Sequence, residues 1–186
     1  MITEQRMKVI PHAHGRVLEI GAGAGANFAL YDPAKVSEVV AIEPSAPLRK
    51  QAAAAAHPAG LKIDVRDAVG ENLPFEDASF DTVVTTYTLC SVGNEEKVLA
   101  ELRRVLKPGG TLLFLEHGRA PDAPVLKWQK RIEPLWKRAM GNCHLTRPVS
   151  SAIAGAGFKI EESGASYLDD MPRWAGWTEW GSATNA

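Results

Sequence analysis

Short apolar segments alternate with longer amphipathic segments along the first two-thirds of the chain. Five of the apolar segments predict strands: Arg16–Ile20, Glu38–Ile42, Leu61–Val65, Phe80–Thr85 and Thr111–Glu116. Most of them are rich in Val, Ile and Leu without strict alternation, which is typical of strands buried on both faces. Between them, three amphipathic segments predict helices: Ala24–Leu30, Ser45–His57 and Asn94–Lys107. This alternation predicts an α/β fold with a parallel sheet and right-handed crossovers.

The last third of the chain departs from this rhythm. Two helices are predicted at Val125–Met140 and Pro148–Ala156, followed by a strand at Phe158–Glu162. Gly176–Ala183 predicts a further strand, although its glycines weaken the pattern. Two late strands favour an antiparallel hairpin at one edge of a mostly parallel sheet.

Composition and charge exclude several classes of protein. The chain has 186 residues, which suits a single domain, and its 21 Lys and Arg against 22 Asp and Glu give no support for a nucleic-acid partner. No apolar run is long enough for a transmembrane helix, and the N-terminal residues do not form a signal peptide. The two cysteines, Cys90 and Cys143, make neither a disulfide framework nor a zinc site of the usual spacing. We therefore expect a cytoplasmic protein without a metal.

A glycine-dense turn follows the first predicted strand. Gly21, Gly23 and Gly25 would let the backbone turn tightly and approach a ligand closely. Glu43 ends the second predicted strand, where a carboxylate can accept both ribose hydroxyls of an adenosine-containing cofactor. Each feature alone also fits an ordinary turn or an exposed charge. Together they predict a cofactor site at the carboxyl edge of the sheet.

Glu19, just before this turn, bears on the choice of cofactor. A dinucleotide would place its pyrophosphate at the glycine loop, where a neighbouring carboxylate repels it. The ammonium group and sulfonium of S-adenosylmethionine would instead be attracted. The sequence therefore favours S-adenosylmethionine over NAD.

Several motifs now resemble those of class I S-adenosylmethionine-dependent methyltransferases. They are Glu19–Gly25, Glu43–Pro44, Asp67–Ala68, Leu73–Phe75, Phe80–Asp81 and Arg103–Gly110. The resemblance implies a single Rossmann-like domain with helices on both faces of a seven-stranded sheet whose last strand is antiparallel. It also implies a cofactor-binding core at residues 16–116, a helical insertion on the substrate side at 117–157 and terminal strands at 158–186. The cofactor-binding residues expected on this basis are Glu19, Gly21, Ala22, Gly23, Gly25, Asn27, Glu43, Pro44, Asp67, Ala68, Thr85 and Thr86.

A second set of motifs is similar to the methyltransferase-like thiol S-methyltransferases and their bacterial relatives. They are Gly25–Phe28, Leu89–Val92, Glu116–His117, Trp128–Gln129, Ile132–Lys137 and Cys143–Arg147. This resemblance implies methylation of a small thiol. The animal members carry an apolar membrane anchor, and we expect none in the short segment before the first predicted strand here, so a membrane location is not carried over. The bacterial branch includes sequences similar to phospholipid N-methyltransferases, which keeps an amine acceptor open.

Methyl transfer from a sulfonium is an in-line displacement that needs mainly orientation. Because a thiol is already partly ionised near neutral pH, a base helps without being obligatory. His117, His144 and Tyr87 are the catalytic candidates: the two histidines titrate in the suitable range, and the tyrosine follows the fourth predicted strand. Structural roles in packing or hydrogen bonding are the alternative for each.

All five tryptophans lie in the last third of the chain, whereas the cofactor motifs lie within residues 16–116. Trp128 and Trp136 are therefore the expected apolar wall of the acceptor site, and Arg147 could hold an acidic group of the substrate. Residues 125–140 form a basic amphipathic helix, which could cover the sheet or contact a membrane surface. We expect a small-molecule acceptor and no obligate protein partner. The functional alternatives are a phospholipid or small-amine N-methyltransferase and a non-catalytic S-adenosylmethionine-binding protein.

Overall fold

Seven strands and six helices lie in the part of the chain that the computed structural model describes, residues 2–57 and 60–185. The strands are β1 (Gly15–Ile20), β2 (Val36–Ile42), β3 (Ile63–Arg66), β4 (Phe80–Thr86), β5 (Leu106–His117), β6 (Phe158–Tyr167) and β7 (Trp177–Asn185). The helices are α1 (Ile2–Met7), α2 (Ala46–Ala55), α3 (Glu95–Val105), α4 (Ala123–Ala139), α5 (Val149–Gly155) and α6 (Arg173–Gly176).

All seven strands belong to one sheet in the order β3-β2-β1-β4-β5-β7-β6. Strands β1 to β5 pair in parallel, and β7 runs antiparallel to both β5 and β6. The predicted mostly parallel sheet with a late antiparallel hairpin is confirmed. The strand order reverses between β1 and β4, and such a switch point opens a crevice at the carboxyl ends of the strands.

The core lies on both faces of the sheet. On one face, Leu18 of β1 packs in a cluster with Leu102 of α3 and Ile153 of α5. On the other face, Val17 of β1 belongs to a cluster with Ala52 of α2. Consecutive residues of one strand therefore serve opposite cores, which explains why the central strands lack strict alternation.

The predicted helix at Ala24–Leu30 is wrong. This segment is a turn followed by a 3₁₀ helix at Phe28–Leu30. Gly25 has a left-handed φ of 84°, which no α-helix accommodates, and a Cβ there would lie 2.7 Å from the Phe28 ring. The glycine loop therefore ends in a tight turn held by Phe28.

The late elements differ from the predicted bounds. The predicted strand Phe158–Glu162 continues to Tyr167, and its partner β7 runs to Asn185. The short helix α6 between them was not predicted, because four residues carry too little periodicity to reveal a helix. None of the described helices is long and apolar enough to cross a membrane.

Candidate functional site

A cavity of about 460 Å³ opens at the carboxyl ends of β1, β2 and β4. Its volume falls in the usual range of small-molecule sites. Five of the residues expected to bind the cofactor line it: Gly21, Gly23, Glu43, Pro44 and Ala68. The cavity therefore lies where the sequence placed the cofactor, at the switch point of the sheet.

The glycine loop forms one wall of this cavity. Gly21 has a φ of 63°, and a Cβ there would lie 2.4 Å from Oγ1 of Thr88. Gly23 has a φ of 57°, but a Cβ there would meet no atom within 4 Å. Gly21 is thus required by packing inside the protein, whereas Gly23 keeps open space at the cavity wall for a ligand.

Glu43 ties the end of β2 to the glycine loop. Its Oε2 accepts a hydrogen bond from the backbone N of Gly23 at 2.9 Å, and its Oε1 accepts one from the backbone N of Ser45 at 2.8 Å. An ionised carboxylate offers about four lone-pair sites, so both oxygens keep capacity for further donors. The buried carboxylate can therefore accept ribose hydroxyls without giving up its own loop contacts.

Asp67 is linked to the same strand end through Arg49. The Arg49 Nη1 donates to the Glu43 carbonyl at 2.8 Å, and its Nη2 lies 2.9 Å from Oδ2 of Asp67. Asp67 itself is exposed and does not line the cavity in this conformation. Its expected contact with adenine stays a prediction.

Glu19 lies beneath the glycine loop in a buried polar network. Its Oε1 accepts from Asn27 Nδ2 at 2.9 Å, and its Oε2 accepts from the Tyr31 hydroxyl at 2.6 Å. Thr86 Oγ1 joins the network by accepting from Asn27 and, at 2.8 Å, from Nη1 of Arg6. Burial raises the pKa of Glu19 to about 7, although the two hydrogen bonds and the Arg6 charge oppose this rise.

These network residues do not line the cavity. Glu19, Asn27 and Thr86 support the loop from below, and Ala22 and Gly25 also lie outside the cavity wall. A direct contact of any of them with a cofactor stays a prediction. The geometry instead supports a positioning role, because Asn27 joins the turn after the loop to β1 and β4.

Tyr87 lines the cavity immediately after β4. Its φ of 54° is left-handed, a strained conformation that in non-glycine residues concentrates at functional sites. Its hydroxyl is buried without a hydrogen bond of regular geometry among the described residues, and its ring lies 4.7 Å from the His117 ring between centroids. Burial raises the pKa of Tyr87, and an interaction of the hydroxyl with the Thr178 side chain opposes this rise.

Three potential metal-binding side chains meet beside Tyr87. Sγ of Cys143 lies 3.5 Å from Sγ of Cys90 and 3.6 Å from Nδ1 of His117. One ligand atom from each residue lies within 4.8 Å of the other two. The contact between the thiols lowers the pKa of Cys143, which His117 lowers further, and raises that of Cys90. The sequence predicted no metal because these residues are far apart in the chain and follow no ligand-spacing motif.

Glu116 holds the loop that carries Cys90. Its Oε1 accepts from Oγ1 of Thr85 at 2.6 Å and from the backbone N of Thr88 and of Leu89, both at 3.0 Å. Its Oε2 accepts from the backbone N of Cys90 at 3.2 Å. Burial raises the pKa of Glu116. Thr85, which was expected to bind the cofactor, therefore donates to a buried carboxylate and does not line the cavity.

His144 faces α4. Its Nδ1 lies 3.6 Å from Oε1 of Glu133, and its backbone N donates to the Cys90 carbonyl at 2.7 Å. Burial lowers the pKa of His144, and the charges of Arg147 and Lys137 lower it further. His144 does not line the cavity, so its role as a base stays a prediction.

Arg147 is hydrogen-bonded to the loop after β4. It donates to the carbonyls of Leu89 and, at 2.8 Å, of Val92. Its guanidinium is mostly buried and lies 4.0 Å from Glu95. This arrangement gives Arg147 a structural role, and its expected hold on a substrate stays a prediction.

The tryptophans of α4 lie outside the cavity wall. Trp136 packs edge-on against Trp174 of α6 with ring centroids 5.4 Å apart. Trp128 and Leu135 are 56% and 72% exposed, so the apolar side of α4 faces solvent over much of its length. A contact of Trp128 or Trp136 with the acceptor stays a prediction.

The cavity is also lined by residues that were not among the predicted site residues. Thr88, Ser91, Gly93 and Gly141 line it beside Tyr87. Ser91 belongs to a motif of the thiol methyltransferase resemblance, which was the available signal. Gly141 carried none, because only the fold brings the end of α4 to this edge.

Comparison with known proteins agrees with this geometry. The family model of the methyltransferase domain matches residues 18–114. Thiol S-methyltransferase TMT1B of Rattus norvegicus is 42% identical over 148 residues, covering 76% of this chain and 59% of that protein. Thiol S-methyltransferase TMT1A of Homo sapiens is 38% identical, with the same coverage of both chains. This chain thus spans about three-fifths of the length of these relatives.

Among solved structures, a candidate methyltransferase of Bacillus halodurans C-125 superimposes with a TM-score of 0.76 at 16% identity. The match covers 99% of this chain and 98% of that chain. At this identity the likeness establishes the fold alone.

Proposed function

Because the chain belongs to the methyltransferase-domain family, as its motifs predicted, we propose that it transfers a methyl group from S-adenosylmethionine to the sulfur of a small, largely apolar thiol. The observation that carries this proposal is one cavity that joins the glycine loop and Glu43 to Tyr87. The choice of a thiol is supported by the relatives at 42% and 38% identity.

The residues present fit the cofactor. Gly23 leaves open space at the cavity wall, Glu43 keeps free lone pairs for ribose hydroxyls, and Ala68 offers an apolar surface for adenine. When bound, S-adenosylmethionine supplies a methyl group on a positively charged sulfur. The protein core at residues 16–116 would hold it, and residues 117–157 would supply much of the acceptor side.

The protein's main task in this reaction is alignment. The acceptor sulfur forms a bond to carbon as the carbon–sulfonium bond breaks, and the thiol proton is released. Orientation of this kind is worth about 7–11 kcal/mol of barrier. Tyr87, which lines the cavity and whose ring lies 4.7 Å from the His117 ring between centroids, is the residue best placed to orient the acceptor.

The test measures S-adenosylhomocysteine released with thiols, amines and lipids as acceptors. We expect release that depends on an added apolar thiol. Turnover with amines alone would show that the acceptor is an amine and not a thiol. Tight cofactor binding without turnover on any acceptor would favour a non-catalytic binding protein.

A second measurement tests the cofactor placement. Glu43→Gln removes a charged acceptor, and hydrogen bonds to charged groups contribute about 1.5–3 kcal/mol, so the Kd for S-adenosylmethionine should rise roughly 10- to 100-fold. Asp64→Asn, which changes an exposed carboxyl on β3 paired with Arg66, is the matched control and should leave the Kd unchanged. An equal Kd for Glu43→Gln and the unaltered protein would refute the ribose assignment.

A lipid-surface acceptor is the second candidate. It is supported by α4, where Trp128 and Leu135 are exposed among basic residues such as Lys127, Lys130 and Arg131. An amphipathic helix of this kind can lie in the headgroup region of an anionic membrane. Methylation of ethanolamine-containing vesicles, with no turnover of soluble thiols, would favour this candidate.

A further inference from the structure

We propose that Cys90, His117 and Cys143 form a binding site for one Zn²⁺ ion, with a fourth coordination position left for a ligand from outside the chain. The inference starts from the spacing of the donor atoms. Zinc bonds of about 2.3 Å to sulfur and 2.0–2.1 Å to nitrogen, arranged tetrahedrally, place two sulfurs about 3.8 Å apart and a sulfur and a nitrogen about 3.6 Å apart. The structure has 3.5 Å between the two Sγ atoms and 3.6 Å between Cys143 Sγ and His117 Nδ1.

The third edge of the triangle requires only a small adjustment. All three ligand atoms lie within 4.8 Å of one another, about 1 Å beyond the tetrahedral sulfur–nitrogen separation at most. Closing that edge to the tetrahedral separation would take a shift of about 1 Å at most in His117 Nδ1 or Cys90 Sγ.

The backbone around the cluster is held in place by groups that are not ligands. Glu116 accepts the backbone N–H of Cys90, and the backbone N of His144 donates to the Cys90 carbonyl at 2.7 Å. Arg147 donates to the Leu89 carbonyl next to Cys90. The loops that carry the two cysteines are therefore joined directly, which is the kind of outer support that orients metal ligands.

Charge balance favours a divalent cation in this place. Cys90 and Cys143 are 1% and 5% exposed, and burying an uncompensated thiolate is costly. Two thiolates and a neutral imidazole around Zn²⁺ form a site with no net charge. Two sulfurs and one nitrogen also form a donor set that zinc sites use, with an open fourth position when catalytic.

The fourth position points to a thiol ligand, and this step rests on the proposed function. Among the described residues, the cluster contains only these three ligands, so a fourth must come from outside them. Cys90 and His117 each lie one side chain from the cavity, since Ser91 Oγ is 3.5 Å from Cys90 Sγ and Tyr87 packs on His117. Zinc holds a coordinated thiol in its deprotonated form, which is the nucleophilic form.

The experiment titrates the reduced protein with Zn²⁺ alone, in the absence of methyl donor and acceptor, and counts bound metal. We expect one Zn²⁺ per chain. With Co²⁺ as a spectroscopic replacement, we expect thiolate-to-metal charge-transfer bands and the intense visible bands of a tetrahedral site. Addition of a small alkyl thiol should intensify the charge-transfer bands, because a third sulfur joins the metal.

Variants separate this site from adventitious binding. Cys143→Ser and His117→Gln should weaken Zn²⁺ binding by more than about 100-fold, beyond the 10- to 100-fold typical of losing an outer partner. His144→Gln is the matched control: it changes the imidazole next to Cys143 that faces Glu133, and it should keep the metal and the Co²⁺ bands. Circular dichroism of each variant identifies any that fails to fold.

Binding below one Zn²⁺ per chain, or binding unchanged in Cys143→Ser, would overturn the metal site. Air oxidation of the reduced protein to a Cys90–Cys143 disulfide at the same rate with saturating Zn²⁺ as without it would overturn it as well, because coordinated thiolates should be protected. Unchanged Co²⁺ bands on addition of thiol would overturn the thiol as fourth ligand. Because metal binding is read without turnover, these results stand whether or not the protein methylates thiols.

Discussion

Replacement of the buried carboxyl of Glu19 should remove a pH dependence from the stability of this protein. The carboxyl is almost fully buried and accepts hydrogen bonds from Asn27 and Tyr31. Its pKa is about 7 in the folded protein against 4.5 for the exposed group, because burial disfavours the ionised form. Glu19→Gln keeps the shape and one acceptor but cannot ionise.

The sign and size of the effect follow from linkage. Between pH 4.5 and about 7 the unfolded chain has lost the Glu19 proton while the folded protein retains it, so unfolding releases a proton and rising pH favours unfolding. Each pKa unit corresponds to about 1.4 kcal/mol, so the full shift is worth about 3 kcal/mol. About 2–3 kcal/mol of this should be lost between pH 5 and pH 8.

The assay is urea unfolding of the unaltered protein and of Glu19→Gln at several pH values, followed by tryptophan fluorescence. The free energy of unfolding of the unaltered protein minus that of the variant should fall by about 2–3 kcal/mol from pH 5 to pH 8 and flatten above that. Taking this difference cancels other buried acids, Glu116 included. Tyr31→Phe removes a hydrogen bond that lowers the pKa of Glu19, so it should extend the fall to higher pH. A difference that is constant with pH, or one that rises with pH, would refute the reasoning.

Three further predictions follow from the geometry of the site. Gly21→Ala should destabilise the fold and lower the Tm, because the new Cβ would lie 2.4 Å from Thr88 Oγ1. Gly23→Ala should leave the Tm closer to that of the unaltered protein and chiefly weaken S-adenosylmethionine binding in calorimetry. Glu116→Leu should lower the free energy of unfolding in urea by at least about 3 kcal/mol, since it leaves three backbone N–H groups, two of them buried, without an acceptor. Trp128→Ser should reduce cosedimentation with anionic vesicles if the exposed face of α4 contacts lipid; equal cosedimentation would remove that contact.

The cofactor edge of the fold could be predicted because its signals are local. Buried parallel strands are short apolar runs, and Gly21, Gly23 and Glu43 stand at the ends of two of them. Once the strands are parallel, their carboxyl ends must meet at one edge, so the cavity position follows from the pattern alone. The prediction of a helix at Ala24–Leu30 was wrong because the left-handed φ of Gly25 overrides the helical propensity of the alanines around it.

The roles of the buried charged residues could not be predicted, because they depend on distant partners. Glu19 reads as a cofactor ligand from its place before the glycine loop; the sequence did not reveal its hydrogen bonds with Asn27 and Tyr31, and its contact with a cofactor stays a prediction. Arg147 reads as an anion-binding residue; the sequence did not reveal that it donates to carbonyls of the loop after β4, and its hold on a substrate stays a prediction. A side chain's residue type gives its chemistry, but only the fold decides which partner that chemistry meets.

The acceptor side shows the strongest form of this dependence. Cys90, His117 and Cys143 come from the loop after β4, the end of β5 and the loop after α4. Their meeting rests on contacts that no short motif records, such as the hydrogen bond from the backbone N of His144 to the Cys90 carbonyl. A zinc site with ligands two to four residues apart is visible in a sequence because its geometry is local, whereas a site with one ligand per loop requires the loops to be locked together. The buried carboxylate of Glu116 provides such a lock, because it binds three consecutive backbone N–H groups next to the cluster. Glu116 is therefore part of the construction of the proposed metal site, and Glu116→Gln should lose Zn²⁺ affinity although all three ligands are intact.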